Sequence, residues 1–300
     1  MNFGKRTSRA ESERIVHRAI ERDLVFFDTA NTYNEGESER TLGQALGARR
    51  DRCFLATKVG LWGMPKAKEG LGKATILRAI DDSLQRLGTD HVDLYYLHAP
   101  DPATPIAETL DALQIVLLAG KARSWGVSNY ASWQILEMMG LAKERGMPAP
   151  AVSQVLYNVL IRQIEIEYLA FARRFPIHTT VYNPLAGGLL AGKHTAGTVT
   201  KGSRFDNNRM YQRRYLSEGF FEQVAAIAGV AKEEGVDLVT LAYAWLAARP
   251  GVDSILVGPA DVGQLDAAID ASSRTLSEGA MSRLDEISTA FAGTDAKYAR

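Results

Sequence analysis

The stretch Phe26-Phe27-Asp28-Thr29-Ala30-Asn31-Thr32-Tyr33 reads as the end of an apolar strand, Leu24–Asp28, that closes on a carboxylate and leads to a tyrosine on the next loop. Two later stretches end in the same way. Cys53-Phe54-Leu55-Ala56-Thr57 runs into Lys58, and Val92-Asp93-Leu94-Tyr95-Tyr96-Leu97 runs into His98. Alternate residues of a strand share a face. Asp28 therefore goes with Phe26 and Leu24, Lys58 with Ala56 and Phe54, and His98 with Tyr96 and Leu94. If these sets point inward, the three polar groups converge at the C-terminal mouth of a barrel, where active sites of that architecture sit. A charged Asp and a charged Lys in apolar strands are costly unless paired. Pairing with each other is the simplest solution.

Outward from these strands, short β-rich runs alternate with helical patterns. Glu11–Arg22, Ser38–Leu46, Lys73–Leu87, Pro105–Ala119 and Ala131–Arg145 read as helices, and Ala122–Ser128 and Val152–Val155 as strands. In Lys73–Leu87 the residues Ile76, Ala79, Ile80, Ser83, Leu84 and Leu87 follow the i, i+3, i+4, i+7 spacing, and Gly88 stops the helix. Helix Gln163–Arg174 and strand Ile177–Tyr182 come next, followed by a long Gly- and Arg-rich segment, Asn183 to Tyr215. Helices Phe220–Glu234 and Leu238–Ala248, strand Ser254–Gly258, and helices Val262–Ala271 and Ser277–Ala290 complete the pattern. Such alternation predicts a parallel α/β architecture. A single (β/α)8 TIM barrel over residues 1–300 fits best, with Met1–Gly4 as the end of a shortened first strand. An open doubly wound sheet is the alternative, but no Gly-x-Gly-x-x-Gly follows the first visible strand.

The bulk properties narrow the function classes. The 300 residues include 35 acidic and 35 basic side chains, for a formal net charge of zero, which favours neither nucleic acid nor an acidic membrane as partner. One cysteine, Cys53, rules out an internal disulfide and a Cys-based metal cluster. No signal-peptide pattern opens the chain and no apolar run is long enough to span a membrane, so a cytoplasmic protein is expected.

The strand-end residues suggest a reaction. A free phenol has a pKa near ~10 and is a weak acid at neutral pH. A neighbouring ammonium favours phenolate and lowers that value. Tyr33 is then a general acid toward a carbonyl oxygen, Lys58 tunes it, Asp28 fixes Lys58, and His98 orients or polarises the same oxygen. The set contains no good covalent nucleophile and no metal cage. It suits protonation of an oxyanion formed by an incoming hydride, which calls for a nicotinamide.

Over essentially its whole length the chain resembles the aldo-keto reductases. The resemblance rests on Phe27-Asp28-Thr29-Ala30 through Tyr33, Glu39 and Gly43, on Leu84-x-x-Leu87 through Asp93-Leu94-Tyr95-Tyr96-Leu97-His98, and on Gly126-Val127-Ser128-Asn129-Tyr130 and Gln154. It implies a (β/α)8 barrel, a nicotinamide cofactor bound without a Rossmann domain, and a catalytic tetrad of Asp28, Tyr33, Lys58 and His98. A narrower resemblance is to the aflatoxin-aldehyde and succinic semialdehyde reductases. It rests on Leu97–Asp101, Tyr182–Lys193, Met210–Tyr215 and Tyr298-Ala299-Arg300.

By that similarity, Ser128, Asn129, Gln154, Tyr182, Asn183, Pro184, Leu185, Gly187, Gly188, Leu189, Gly192, Lys193, Arg204, Gly258 and Gln264 hold the cofactor. Tyr182 stacks on the nicotinamide, and the glycines admit the pyrophosphate. His98, Tyr211, Arg214 and Arg300 contact substrate, the arginines suiting a carboxylate. NADPH is the expected cofactor and NADH the second choice. Gly258–Ala268 carries no basic residue, and Asp261 would oppose a 2′-phosphate. The expected activity is reduction of aldehydes, including carboxylate-bearing ones such as succinic semialdehyde, by a homodimer. A nicotinamide-binding regulatory subunit with little turnover and an NAD(P)-dependent sugar or alcohol dehydrogenase are the alternatives.

Overall fold

The computed structural model describes residues 2–61, 69–192, 194, 198–199, 201, 203–206 and 208–293. Its strands are β1 (Phe26–Asp28), β2 (Phe54–Val59), β3 (Val92–Leu97), β4 (Ala122–Ser128), β5 (Val152–Leu156), β6 (His178–Tyr182) and β7 (Ser254–Ile255). Its helices are α1 (Arg9–Glu21), α2 (Glu37–Leu46), α3 (Lys73–Leu87), α4 (Ile106–Leu118), α5 (Ser132–Glu144), α6 (Tyr168–Arg174), α7 (Arg209–Tyr215), α8 (Glu218–Glu233), α9 (Leu238–Ala247), α10 (Val262–Ser272) and α11 (Glu278–Ala292). The chain divides into two compact units: Met1–Val155 with Phe175–Thr179 and Gly258–Leu265, and Leu156–Arg174 with Thr180–Val257 and Asp266–Arg300.

In the first unit β1 to β5 pair in chain order, every ladder parallel. Asp28 lies opposite Ala56, and Lys58 opposite Tyr96. Phe26, Ala56, Leu94, Tyr96 and Val152 form one apolar cluster. Phe26, Ala56, Leu94 and Tyr96 are residues that alternation places on the same face as Asp28, Lys58 and His98. The opposite face carries a charged anchor. Asp93 is 4 % exposed; its carboxylate accepts the Leu55 N–H at 2.9 Å and pairs with Arg50 and Arg123, both at 2.9 Å.

Helix α3 forms where the apolar spacing places it. Ile76, Ala79, Ile80, Ser83, Leu84 and Leu87 are buried, and Gly88 ends the helix at φ 66°. In the second unit β6 and β7 pair in parallel through Thr180 with Ser254 and Val181 with Ile255. Trp245 of α9 has the Arg162 and Arg249 guanidinium carbons 5.1 and 5.0 Å from its ring centroid. Both arginines bond Glu165 and Asp285.

The structure corrects several expectations. Of the expected first-strand segment Met1–Gly4, Met1 lies outside the described residues and Asn2–Gly4 forms no strand. The N–H groups of Lys5, Arg6 and Thr7 all reach the Asn2 carbonyl, so the chain turns back instead of extending. Seven strands are formed, and an eighth is absent among the described residues. β1 starts at Phe26, with Leu24 and Val25 39 % and 37 % exposed. β7 covers only Ser254–Ile255 of the expected Ser254–Gly258. Gln163–Arg174 breaks into a 3₁₀ turn, Gln163–Glu165, and α6. The segment Asn183 to Tyr215, expected as one Gly- and Arg-rich stretch, holds a 3₁₀ turn, Ala186–Ala191, and α7.

Gly43 tests the packing of α2 on α3. A Cβ at this position would lie 2.2 Å from the Leu87 carbonyl oxygen. In an open helix Gly→Ala gains about 1 kcal/mol. Here the clash reverses the sign, and Gly43→Ala is expected to lower stability by about 1–3 kcal/mol in chemical denaturation. A variant more stable than the parent would refute the close approach.

Candidate active site

The first unit brings Asp28, Tyr33, Lys58 and His98 together. Lys58 has no exposed side-chain surface, and its ammonium is ion-paired with Asp28. It also donates to the Thr29 carbonyl at 2.8 Å. Nζ stands 5.3 Å from the Tyr33 ring centroid and 5.4 Å from that of Tyr96. Two aromatic faces thus compensate part of the hydration that the ammonium has lost. Burial pulls the Lys58 pKa below the ordinary lysine value, while the charge and hydrogen bond of Asp28, and then the charge of Glu39, pull it back up.

His98 directly follows β3, and its ring meets Tyr33 edge-on, with centroids 5.6 Å apart at 78°. It is 6 % exposed. Burial, reinforced by the Lys58 charge, pushes its pKa down to about 3. The imidazole is therefore neutral at physiological pH, and Nδ1 has no hydrogen-bond partner among the described residues. A neutral ring can orient a carbonyl oxygen by donating one N–H without itself being the proton source.

The carboxamides predicted for the cofactor are already engaged with this group. Gln154 Nε2 donates to Asp28 Oδ2 at 3.0 Å. Asn129 Nδ2 donates to the His98 carbonyl at 2.9 Å and to Ser128 Oγ at 3.0 Å. Gly258 and Pro259 offer their carbonyls to Asn2 Nδ2 at 2.9 and 3.1 Å. Gln264 turns back on its own helix start, accepting the Ala260 N–H at 3.0 Å and donating to Asp261 at 2.6 Å.

The second unit carries the remaining described candidates. After Tyr182 the backbone enters the left-handed region at Asn183 (φ 63°), Ala186 (φ 49°), Gly187 (φ 72°), Gly188 (φ 111°) and Gly192 (φ 69°). Asn183 tolerates this region, but Ala186 has no polar side chain to ease it, and such strain persists only where the surroundings impose it. Within this run the Ala186 N–H donates to the Asn183 carbonyl at 2.9 Å, and the Gly188 and Leu190 N–H groups donate to the Leu185 carbonyl at 2.8 and 3.2 Å, so the loop is braced by its own backbone. Pro184 and Leu189 are buried beneath the run, and Leu185 packs against Tyr243, Ala268 and Ala271.

Tyr211 braces the loop from below. Its ring occupies the place of a Gly187 Cβ, which would lie 2.7 Å from Cδ1, and its hydroxyl donates to Asn183 Oδ1 at 3.3 Å. Arg204 reaches the same hydroxyl at 3.5 Å. Arg214 donates to the Tyr182 and Tyr215 hydroxyls. Its guanidinium is thus held among phenols. Lys193 and Arg300 lie outside the described residues.

Sequence reasoning missed the hydrogen-bonded group beside the tetrad's strands: Ser38 with Thr29, Thr57 with Glu39, and Arg86 with Glu39. A charged residue recurring on the inward side of two helices, Glu39 and Arg86, was the available signal.

Residues 1–289 match the profile of the Aldo/keto reductase family. The chain belongs to that family. Its relatives include a probable voltage-gated potassium channel subunit beta of Arabidopsis thaliana, 35% identical over 272 residues that cover 88% of this chain and 83% of that one. Aflatoxin B1 aldehyde reductase member 2 of Rattus norvegicus is 35% identical over 284 residues, 89% of this chain and 76% of that one. The uncharacterized oxidoreductase YrpG of Bacillus subtilis is 33% identical over 306 residues, 96% and 90% of the two chains. As a member of this aldo/keto reductase family the chain is an oxidoreductase of carbonyl or alcohol groups, and the family works with nicotinamide cofactors. Among the described residues no helix is long and apolar enough to cross a membrane.

The depressed His98 pKa gives a signed prediction. Unfolded chains take up this proton near pH 6.5, and the folded chain only near pH 3. His98 therefore removes stability as pH falls from 6.5 toward 3, by at most about 1.4 kcal/mol per pH unit. Replacement by glutamine is expected to flatten that part of the curve of stability against pH. An NMR titration placing the His98 midpoint between pH 6 and 7 would contradict the buried, neutral ring.

Proposed function

We propose that the chain is an NADPH-dependent aldehyde reductase with Tyr33 as proton donor, Lys58 and Asp28 as the pair that tunes it, and His98 as the group that orients the carbonyl. The observation that carries this reading is the fully buried Lys58, ion-paired with Asp28 and flanked by the Tyr33 ring. A buried ammonium beside a phenol has a clear chemical use, since its charge stabilises the phenolate left after proton donation. Bound, the nicotinamide supplies a hydride to the carbonyl carbon.

Other parts of the reading stand on the chain's own groups. In the first unit Ser128, Asn129 and Gln154 offer the hydroxyl and amides that a carboxamide needs. In the second, the Asn183–Gly192 loop has open space beside Gly192, where a phosphate can approach the backbone, with Arg204 beside it and Tyr182 as the aromatic surface. Arg214, with Arg300, suits the carboxylate of a substrate such as succinic semialdehyde. The similarity to an aflatoxin B1 aldehyde reductase supports an aldehyde as substrate. Residues 1–289 falling under one family profile supports a single functional domain of the (β/α)8 type. A cytoplasmic homodimer is part of the same proposal, and a light-scattering mass of one chain would remove the dimer.

A second reading has support of its own in the similarity to a probable potassium channel beta subunit. In that reading the chain holds a nicotinamide cofactor chiefly as a regulatory module. Loss of reduced-nicotinamide absorbance separates the two, measured with NADPH and NADH in parallel on succinic semialdehyde and on butanal. The reductase reading expects faster turnover with NADPH and preference for the carboxylate-bearing aldehyde. Tight cofactor retention without turnover on either aldehyde would contradict it and favour the regulatory module.

A further inference from the structure

The inward-facing residues Asp28 and Lys58 have outward-facing neighbours, and the first turn of α2 holds both. Thr29, next to Asp28, shares a buried hydrogen bond with Ser38 at 3.0 Å. Thr57, next to Lys58, donates to Glu39 Oε1 at 2.6 Å. Glu39 has no exposed surface, and its second oxygen accepts Arg86 Nε of α3 at 2.6 Å. Arg86 also donates to Ser83 Oγ at 3.2 Å.

The same arginine supports the loop that carries Tyr33. Asn34, Glu35 and Gly36 follow one another in the left-handed region, at φ 50°, 58° and 84°. Two of the three carry side chains, so the turn is costly in isolation and depends on its surroundings. One support is Asn34 Nδ2, which donates to the Phe3 carbonyl at 2.8 Å. The other is Arg86, whose Cδ and Nε lie 2.6 and 2.8 Å from the place of a Gly36 Cβ.

A fully buried carboxylate bonded to Thr57 and Arg86 needs a reason to be there, because burying charge is expensive even when it is paired. We infer that Glu39, with Ser38, Thr57 and Arg86, is the positioning device of the tetrad: it fixes β1 and β2 at the residues flanking Asp28 and Lys58 and seats the end of the Tyr33 turn. This deepens the tetrad reading above and rests on it. Glu39 also acts by charge. Lys58 is faced by Asp28 from β1, Tyr33 from the following turn, Tyr96 and neutral His98 from β3, and Glu39 from α2, with Arg86 of α3 against Glu39 and Gln154 of β5 against Asp28. Removing the Glu39 charge takes away one of the two carboxylates that raise the Lys58 pKa against the effect of burial.

The test uses the full chain, NADPH, and succinic semialdehyde and butanal as probes. Thr57→Val keeps the side-chain shape and removes the hydroxyl. It is expected to lower kcat roughly ten- to a hundredfold, with NADPH affinity by nucleotide fluorescence within about twofold of the parent, and Thr57→Ser is expected to restore kcat. In the cofactor-free chain, Glu39→Gln is expected to move the Lys58 Cε titration seen by NMR to lower pH. Thr57→Val turning over within twofold of the parent, or an unmoved Lys58 titration, would overturn the inference. Lys58→Met separates the levels. If it retains turnover, the tetrad reading itself fails. If it is inactive while Thr57→Val is fully active, only the positioning role fails.

Discussion

A lysine ammonium with no solvent contact is the constraint on which the first unit depends. Transferring such an ion out of water costs several kcal/mol, and the cost is recovered only with good geometry and further hydrogen bonds. Lys58 has Asp28 as counter-ion, the Thr29 carbonyl as a second acceptor, and the Tyr33 and Tyr96 faces on its flanks. Asp28 in turn is held by Gln154, so β1, β2 and β5 meet at one charge pair. Parallel pairing of β1 with β2 and of β2 with β3 sets the register that makes this meeting possible. Any slip of one residue would turn Lys58 into the helix layer and Thr57 inward.

The electrostatic consequence runs from Lys58 to its neighbours. Burial, with the Lys58 charge, keeps His98 neutral beside the Lys58–Asp28 ion pair and the Tyr33 ring. In the proposed reaction, proton donation falls to the phenol, and the imidazole takes an orienting role. In the second unit the governing constraint is backbone strain. Left-handed Asn183 and Ala186 are held by a buried bed of Tyr211, Tyr215 and Phe205 around the turn, with Asn183 hydrogen-bonded to both tyrosines.

Legibility in the sequence followed the strength of local rules. Helix α3 was readable to its ends because six apolar or small residues keep a 3.6-residue period and a glycine closes it. The shared inward face of Asp28, Lys58 and His98 was readable from strand alternation alone, and the cluster of Phe26, Ala56, Leu94 and Tyr96 matches it. Tertiary contacts hid the rest. Gln154 was assigned to the cofactor by resemblance, and its bond to a carboxylate 126 residues away has no local signature. Asn2 turns the chain by collecting three N–H groups, where a strand had been expected. The glycines after Tyr182 suggested a phosphate loop, but left-handed Ala186 could not be anticipated, since an alanine carries no turn signal. Glu39 was visible only as a motif letter; its use emerges from Thr57 and Arg86, on two other elements.

The central claim is that the Tyr33 hydroxyl delivers the proton. Tyr33→Phe removes that oxygen and leaves the ring beside His98 and Lys58. The most direct measurement is kcat for NADPH-dependent reduction of succinic semialdehyde by this variant, taken with NADPH affinity by fluorescence. The account predicts loss of turnover by at least ~100-fold with affinity close to that of the parent. Turnover near the parental rate would contradict it and move the proton donor elsewhere.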